Sequence, residues 1–394
     1  MGRAALHPGH DLRSWLDHRH AASPHRVMDD VRTPPQWIER LTPLADLRAV
    51  IDAQVTPIAA GEIDLTAALG RVLAKDIQAD QHPPVALALR DGYALRSEET
   101  TDAGSYAPAP LSLMVRVEVG EPVPREADAV APLDAVTDDG ATPQAVAPIA
   151  PGEGILAPGQ DCEGGQPVLR AGGALRRLDI AVLSALGVTR VAVRAPTVRI
   201  VQARADDGIA NAVTAMLRDL IACHGTAKLS LNSAPFQDPQ DADAVIVVGG
   251  SGMGLHDNSV RTLARAGRLI AHGIGLSPGE TSAFGFIGST PVLITQGRLD
   301  AALAVWHVLG ARIMARLSGC TDAPVVGHAK LTRKIASTIG LVEFVPVATE
   351  ADMVTPLAST YLPWRVLAQA TGYVLVPAQQ EGFAPGTLVP VNPL

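Results

Sequence analysis

The sequence predicts a multidomain α/β and β protein whose central part is a doubly wound parallel sheet. The chain has 394 residues, more than one hydrophobic core usually organises, so several domains are expected. Its 36 glycines and 31 prolines indicate many turns and therefore small units. In the middle of the chain, apolar strand-like runs alternate with amphipathic helical segments, which is typical of a parallel sheet covered by helices.

This alternation predicts a central α/β domain at residues 196–323. Its predicted strands are 198–201, 244–248 and 292–295, and its predicted helices are 211–224, 259–267 and 300–317. Asn258 or Ser259 is expected to cap the second helix, and Asp300 stands at the start of the third. Gly319 follows the end of that helix, where a left-handed residue commonly terminates the helical backbone.

Four other segments complete the expected organisation. They are an N-terminal extension (1–34), a linker or dimer domain (35–85 and 158–195), an inserted β-rich domain (86–157) and a C-terminal β-barrel-like domain (324–394). In the last segment, strands are predicted at 341–347, 373–376 and 387–391.

Helices are predicted in the linker or dimer domain from its apolar periodicity. In the first helix one face carries Leu44, Leu47, Val50, Ile51 and Val55. A second is predicted near 64–74, because leucines recur there every four residues and Asp64 stands where a cap would. A short helix at 178–186 and a strand at 189–193 are predicted after the insertion.

The composition excludes several classes of function. A net charge of −8 argues against a dominant nucleic-acid or anionic-membrane surface. Aromatic residues make up only 3% of the chain, too few for a large platform that stacks single-stranded bases. No apolar run reaches the length of a transmembrane helix. We therefore expect neither a nucleic-acid nor a membrane partner.

The cysteines and histidines give no strong metal signal. Cys162, Cys223 and Cys320 are far apart and lack metal-binding spacing, which favours a reduced, cytoplasmic setting. Five of the 11 histidines fall in the first 25 residues: His7, His10, His18, His20 and His25. They could bind a metal adventitiously, and a polar N-terminal extension is the plainer interpretation.

A glycine loop, Gly249–Gly254, is the principal candidate for a binding site. It follows the apolar run of residues 244–248 in the sequence DADAVIVVGGSGMG. Ligands of open α/β sheets bind at the carboxyl ends of strands, and glycines there let backbone N–H groups approach an anion. The loop lacks the GxGxxG spacing and the P-loop lysine, which excludes dinucleotide and NTP sites of those kinds. A glycine turn without a ligand remains the alternative.

Charged residues and turns near this loop are further candidates. Asp257 could hold a divalent cation or orient a ligand hydroxyl, or it could cap the following helix. Arg298, after Gly297, stands between a strand and a helix, where it could grip an anion or remain solvated. Ser277–Gly279 forms a tight turn, and Asp91 lies in another.

Several motifs in one order resemble the MoeA family, which includes the gephyrin E domain. They are LTAALGRVLAKDI, PPVALALRDGYALR, ADAVIVVGGSGMGLHD, LSPGETSAFG and ATGYVLVPAQQEGFAPGTLVPV. The resemblance spans about residues 36–394. It implies an elongated cytoplasmic homodimer of four-part subunits that acts in molybdenum cofactor biosynthesis. The implied transferase activity inserts molybdate into molybdopterin or adenylylated molybdopterin with the help of Mg²⁺. It also implies a molybdoenzyme or another cofactor-biosynthesis protein as a partner.

The resemblance assigns roles to matching positions. Catalytic roles would fall to Asp257 and Asp207 and, as an anion clamp that the family motif itself lacks, to Arg298. A metal would bind Asp257 and Asp161. The cofactor-binding positions would be Gly249, Gly250, Ser251, Gly252, Gly254, Ser277, Pro278, Gly279, Gly297, Asp91 and Tyr93.

The chain departs from the family motifs at charged positions. In the segment PPVALALRDGYALR, Ala86 and Leu87 replace the acidic residue and the asparagine of the family motif. Both lysines of the family's K-P-G-K-P motif are replaced, by Ser277 and Glu280. Two unit charges about 4 Å apart interact by about 4 kcal/mol at an effective dielectric near 20, so exchanging lysine for glutamate would weaken anion binding.

Three arginines could restore the lost positive charge. Arg90, Arg204 and Arg298 replace uncharged residues of the family, and they either compensate for the lysines or are surface substitutions.

The leading hypothesis is a MoeA-type protein that inserts molybdate, or one derived from such an enzyme. The alternative is a catalytically inactive molybdopterin carrier, chaperone or scaffold for a molybdoenzyme. A third is a structural dimer with a vestigial site.

Overall fold

A computed structural model describes residues 36–138, 140, 142–204, 207–230, 241–254, 257–322, 326–359 and 361–394. The N-terminal extension predicted at 1–34, with its five histidines, lies outside these described residues. No helix within the described ranges is long and apolar enough to cross a membrane.

A six-stranded sheet forms the centre of the molecule. Its strands, in spatial order, are Thr226–Ser230, Thr197–Gln202, Ala244–Val248, Thr290–Thr295, Ala283–Ile287 and Arg268–His272. The first four are parallel, which confirms the predicted parallel sheet. Ala283–Ile287 is antiparallel to both of its neighbours, Thr290–Thr295 and Arg268–His272. The antiparallel pair was not predicted, and it extends the sheet on one side.

Helices cover both faces of this sheet, as a doubly wound fold requires. Gly208–Ala222 and a long helix pack on one face, and Ser259–Ala266 packs on the other. The long helix consists of Leu299–Val305, a π-helical turn Trp306–Gly310 and Ala311–Ser318, and it ends at Gly319, whose φ is +65°. Side chains of a strand alternate between faces, so the apolar run Ala244–Val248 contributes to both core clusters.

The N-terminal part contains the predicted first helix and not the second. The helix Leu44–Gln54 buries Leu44, Leu47 and Ile51. Residues 64–74 contain only a 3₁₀ turn, Leu65–Ala67, and a short strand, Val72–Leu73, so the prediction of a helix there is wrong. That strand and Gly61–Asp64 flank Arg190–Arg194, and the predicted short helix is present as Arg177–Ala185. Ile77–Gln78 pairs with Pro167–Leu169.

Residues 86–157 are β-rich, as predicted. One three-stranded sheet consists of Val115–Val117, Gly92–Leu95 and Ala129–Pro132, and another of Ala109–Pro110, Gln144–Ala145 and Val136–Thr137. Leu87–Ala88 pairs with Ile155–Leu156. Ser97–Thr100 and Leu133–Ala135 are 3₁₀ turns.

The C-terminal part is a closed five-stranded barrel. Its strands, in order around the barrel, are Gly327–Leu331, Met353–Pro356, Val342–Glu350, Gly372–Val376 and Leu388–Pro393. Leu276–Ser277 adds to Val342–Glu350 from outside, Ile335–Ala336 pairs with Gly382–Phe383, and Trp364–Leu367 forms a short helix. Closure leaves the barrel strands without free edges.

Candidate functional site

Three loops meet at the carboxyl edge of the central sheet. They follow the strands Thr197–Gln202, Ala244–Val248 and Thr290–Thr295, which are parallel neighbours. The second of them is the glycine loop, Gly249–Gly254. A Cβ placed on Gly297 would lie 3.9 Å from Gly249 Cα, so the third loop runs beside the glycine loop. The chain therefore brings the two predicted glycine sites together.

Glycine is required in the loop for two separate reasons. Gly249 and Gly250 have φ of +92° and +71°, values that side chains disfavour. A Cβ on Gly250 would lie 2.2 Å from Ser259 Oγ, and one on Gly252 would lie 2.7 Å from Asp257 Oδ2. The loop thus lies against the start of the next helix on one side and against a carboxylate on the other.

Side chains hold four successive carbonyl groups of the loop, those of residues 249–252. The donors are, in that order, Ser259 Oγ (3.1 Å), Gln36 Nε2 (2.9 Å), His272 Nε2 (3.0 Å) and Gln36 Nε2 again (2.7 Å). Gln36 lies before the first helix, whereas Ser259 and His272 lie on a helix and a strand that follow each other directly in the chain. Gln36 and His272 were not among the predicted site residues.

Asp257 closes the far end of the glycine loop. Its Oδ2 accepts the Gly254 N–H at 3.0 Å, and its own N–H donates to the Gly254 carbonyl at 3.0 Å. Arg204 Nη2 lies 3.8 Å from Asp257 Oδ1. The N-cap position of the following helix is occupied by Asn258, whose side chain makes no capping hydrogen bond. The Asp257 side chain lies before that position and accepts the Gly254 N–H, so the alternative that Asp257 caps this helix is wrong.

Arg298 is paired with a carboxylate of its own chain. Its Nε lies 3.1 Å from Asp300 Oδ1, and its Nη2 lies 2.5 Å from Asp300 Oδ2. This hydrogen bonding raises the pKa of Arg298, and the charges of Asp300, Tyr361 and Glu280 raise it further. Arg298 also lies over the Tyr361 ring, 5.7 Å from its centroid. Asp300 thus balances the charge of Arg298, and the role of Arg298 as an anion clamp stays a prediction.

The turn Ser277–Gly279 joins the sheet to the barrel. Ser277 pairs with Glu343 of the barrel, and the Ser277–Pro278 peptide bond is cis. The Gly279 N–H donates to Glu280 Oε2 at 3.1 Å, so the carboxylate that replaces a family lysine bonds to its own turn. Thr281 Oγ1 lies 3.2 Å from Ser251 Oγ and links this turn to the glycine loop.

Asp207 caps the helix Gly208–Ala222. Its Oδ1 accepts the N–H groups of Ile209 at 2.9 Å and Ala210 at 3.2 Å. The residue lies after the strand Thr197–Gln202, at the same edge of the sheet as the glycine loop. A capping role is therefore observed, and the catalytic role stays a prediction.

The other predicted site residues lie in the N-terminal half. Asp91 Oδ1 accepts the Val119 N–H at 2.9 Å, and the Tyr93 ring lies 5.7 Å from Arg116 Cζ. Asp161 is exposed. Within the described ranges, none of these three side chains forms a hydrogen bond or ion pair with the glycine loop. Arg90, the third arginine considered above, pairs instead with Glu153 at 3.2 Å.

The carboxylates do not form a metal site of their own. Among the described residues there is no group of three or more His, Cys, Asp or Glu side chains that could hold a metal ion. Mg²⁺ commonly binds one or two carboxylates together with substrate phosphates. Asp257 fits such a one-carboxylate arrangement, because its Oδ2 is bonded to the loop whereas its Oδ1 has a looser contact, an ion pair with Arg204 at 3.8 Å.

A mixed sheet with a glycine loop at its strand ends and a closed barrel after it defines the class of this protein, a multidomain α/β protein with a C-terminal barrel. Sequence models of two MoeA regions match the chain: the MoeA N-terminal region (domain I and II) at residues 42–187 and the MoeA C-terminal region (domain IV) at residues 328–394. The chain belongs to the MoeA family.

Individual relatives cover most of the chain. A putative molybdopterin biosynthesis protein of Methanocaldococcus jannaschii is 26% identical over 370 residues, which cover 84% of this chain and 91% of the relative. Molybdopterin molybdenumtransferase 2 of Mycobacterium tuberculosis is 27% identical over 384 residues, covering 84% and 94%. Among solved structures, a molybdopterin biosynthesis MoeA protein from Pyrococcus horikoshii superimposes on this chain with a TM-score of 0.74 at 24% identity. The match covers 90% of this chain and all of that one, and it shows that the two share a fold.

Proposed function

We propose that this protein binds molybdopterin at the glycine loop and inserts molybdate into it during molybdenum cofactor biosynthesis. Family membership supports the pathway, since relatives carry the names molybdopterin biosynthesis protein and molybdopterin molybdenumtransferase. The observation that carries the proposal is the position of the loop at the carboxyl edge of parallel strands, with Gly297 beside it. Such an edge is where open α/β sheets bind ligands, and backbone N–H groups there can receive phosphate oxygens.

Each nearby residue has a role in this proposal. The loop residues Gly249, Gly250, Ser251, Gly252 and Gly254 form the substrate-phosphate site. The N–H groups of Ser251 and Gly252 bind phosphate oxygens, since those of Gly249 and Gly254 already donate to Thr295 and Asp257. The turn Ser277–Gly279 with Gly297 lines the same cleft. Asp257 orients the substrate, and with the substrate's phosphates it would hold Mg²⁺, which would neutralise phosphate charge. The substrate arrives as molybdopterin or its adenylylated form, with molybdate as the second substrate.

A homodimer would complete the site. Asp91 and Tyr93 contact residues of the N-terminal half of their own chain, and Asp161 is exposed. None of the three has a described bond to the glycine loop. We propose that these residues reach the loop of a partner subunit. In the same proposal the dimer works in the cytoplasm and passes its product to a molybdoenzyme or to another biosynthetic protein.

The test is a reconstituted insertion assay with Asp257→Ala. Purified protein is supplied with molybdate, Mg²⁺ and molybdopterin, in parallel with the adenylylated form, and active cofactor is measured. We expect the variant to lose about 100-fold in rate, the scale seen when a preorganised electrostatic group is removed. Asp219→Ala, which removes an exposed carboxylate from the helix Gly208–Ala222, is the matched control and should keep full activity. Full activity in Asp257→Ala would overturn the role of Asp257.

A second candidate function is molybdopterin binding without insertion. It is favoured by the charges around the loop, because Arg204 and Arg298 both have carboxylate partners and Glu280 stands where the family has lysine. Paired arginines leave little net positive field for a dianion such as molybdate. Calorimetry with molybdopterin and with its adenylylated form separates the two functions. Binding without turnover supports a carrier, and failure to bind either compound defeats both candidates.

A further inference from the structure

The orientation of peptide groups in the glycine loop suggests how it would recognise an anion. In a trans peptide the C=O of one residue and the N–H of the next point in opposite directions. Side chains hold the carbonyls of residues 250–252. Each N–H group of residues 251–253 therefore points away from the side chain that holds the preceding carbonyl, and among the described residues these N–H groups have no hydrogen-bond acceptor.

We propose that Gln36 and His272 are positioning residues that hold the glycine loop open to an oxyanion, such as the phosphate monoester of the substrate. This inference rests on the proposed function for the identity of the ligand. The two side chains bind the carbonyl oxygens, which would otherwise repel an anion, and leave the N–H groups to receive it. The chain can thus bind an anion through its backbone although both motif lysines are replaced.

Gln36 is fixed by all of its polar atoms. It is buried, with 8% of its surface exposed, and its Nε2 donates to the Gly250 and Gly252 carbonyls. Its Oε1 accepts the Arg261 N–H at 3.4 Å, which settles the orientation of the amide. One side chain thereby ties together the segment before the first helix, the glycine loop and the helix Ser259–Ala266.

His272 secures the carbonyl between those two. It ends the antiparallel strand Arg268–His272, and its Nε2 lies 3.0 Å from the Ser251 carbonyl oxygen. A carbonyl oxygen only accepts hydrogen bonds, so Nε2 carries the proton. The Ser251 side chain is held separately by Thr281. The carbonyl group and the side chain of Ser251 are thus both held by hydrogen bonds within the chain.

Substitutions at the two positions test whether the donors matter. Gln36→Glu keeps the shape and replaces the NH₂ donor by an acceptor facing two carbonyls. Glu39→Gln, the reverse exchange of the same two side chains at an exposed position three residues away, is its control. His272→Phe removes the donor, and His272→Gln restores an N–H donor at a similar reach. Calorimetry with molybdopterin should show at least tenfold weaker binding for Gln36→Glu and for His272→Phe, which corresponds to about 1.4 kcal/mol. Binding should stay near normal for Glu39→Gln and for His272→Gln.

Hydrogen exchange distinguishes failure of this inference from failure of the proposed function. The Gly249 and Ser259 N–H groups bond to Thr295 and to Gly250 of the loop, so their exchange reports the loop without any ligand. We expect Gln36→Glu and His272→Phe to accelerate that exchange at least tenfold over their controls. If wild type fails to bind molybdopterin while this exchange pattern holds, the positioning role stands and the proposed ligand is wrong. Unchanged exchange, or unchanged affinity where wild type binds, would overturn the inference.

Discussion

Position 250 has a left-handed backbone and almost no room for a side chain. A Cβ there would lie 2.2 Å from Ser259 Oγ and 3.1 Å from Ser259 Cβ. The serine hydroxyl cannot simply rotate away, because it donates to the Gly249 carbonyl. Gly288 offers a comparison, since its φ of +58° is also left-handed but no atom lies within 4 Å of a Cβ built on it.

We therefore expect Gly250→Ala to be more destabilising than Gly288→Ala. The second change adds only the backbone penalty of a left-handed alanine, about 1 kcal/mol. The first adds steric overlap and a lost hydrogen bond, about 2 kcal/mol more. Urea unfolding of both variants measures the difference in the free energy of unfolding. Equal losses would mean that the loop relaxes around the new methyl group and is less tightly packed than described.

The pairing of charged side chains is the feature that differs most from the sequence-based expectation. From the sequence, Arg298 could compensate for the missing lysines, and Asp300 was expected at the helix start. In the structure these two side chains pair with each other, and Asp300 also accepts the Ala301 N–H in the first turn of the helix. A carboxylate is favourable there because helix N-termini carry partial positive charge. Sequence spacing alone could not separate a free arginine from a paired one.

At the scale of elements, the helix Gly208–Ala222 depends on its cap. We expect Asp207→Ala to lower the free energy of unfolding by about 1 kcal/mol, because two N–H groups lose their acceptor. Asp207→Ser keeps a capping oxygen and should stay within a few tenths of a kcal/mol of wild type. Urea unfolding measures both variants, and an unchanged Asp207→Ala would contradict the cap.

The same serine variant tests the predicted catalytic role of Asp207. It retains the cap and removes the charge, so stability and chemistry are separated. Normal stability with lost molybdate insertion would support a role in the reaction. Normal stability with normal insertion would leave the cap as the function of this side chain.

Strong periodic patterns predicted most elements, and tertiary contacts explain the failures. The strand Ala244–Val248 and the helix ending before Gly319 followed from apolar runs and end signals. The leucine spacing near residues 64–74 was misleading. Gly70 has φ of +75°, and a Cβ on it would lie 2.3 Å from the Cys223 carbonyl oxygen, so the chain turns there to pass a distant segment. Leu69 is consequently exposed while Leu65 and Leu73 are buried.

The loop's position was predictable, and the residues that hold it were not. Glycines after a buried strand are a local pattern, and the parallel sheet places them at its carboxyl edge. Gln36 reaches the loop across more than 200 residues, and no motif around it signals this contact. His272 lies on one of the two antiparallel strands that were not predicted. Long-range hydrogen bonds of this kind depend on the completed fold.

At the scale of the whole molecule, one core joins three parts of the chain. The largest apolar cluster includes Leu47 of the first helix, Ile246 of the central sheet and Phe344 of the barrel. The barrel also has a cluster of its own, with Val345 and Val374 among its members. The barrel is therefore a unit with an internal core that is also packed onto the central domain.

Aromatic rings form the contact between barrel and central domain. His307, in the π-helical turn, lies 5.2 Å from the ring of Tyr373 and 6.3 Å from that of Phe344, measured between centroids. The Phe344 and Tyr373 rings stack at 4.5 Å. Burial among them lowers the pKa of His307 to about 4, from an ordinary value of 6.5. Its buried Nε2 has no hydrogen-bond partner among the described residues.

This histidine should make the junction weaken in mild acid. Because its pKa is lower in the folded state, the unfolded chain binds a proton first as the pH falls. Its contribution to stability is complete above pH 6.5 and is lost as the pH falls towards 4. Between pH 7 and pH 5 the loss from this one group is about 2 kcal/mol.

His307→Phe keeps a flat ring in the stack and removes the titrating group, so it should abolish that part of the pH dependence. Urea unfolding at pH 7 and pH 5 gives the change in free energy for each protein, and the quantity of interest is wild type minus variant. His328→Phe, at an exposed position on a barrel strand, is the control and should leave the pH dependence as in wild type. If His307→Phe loses as much stability as wild type between the two pH values, the imidazole accepts a proton within the folded junction, and the barrel contact must be open enough to hydrate it.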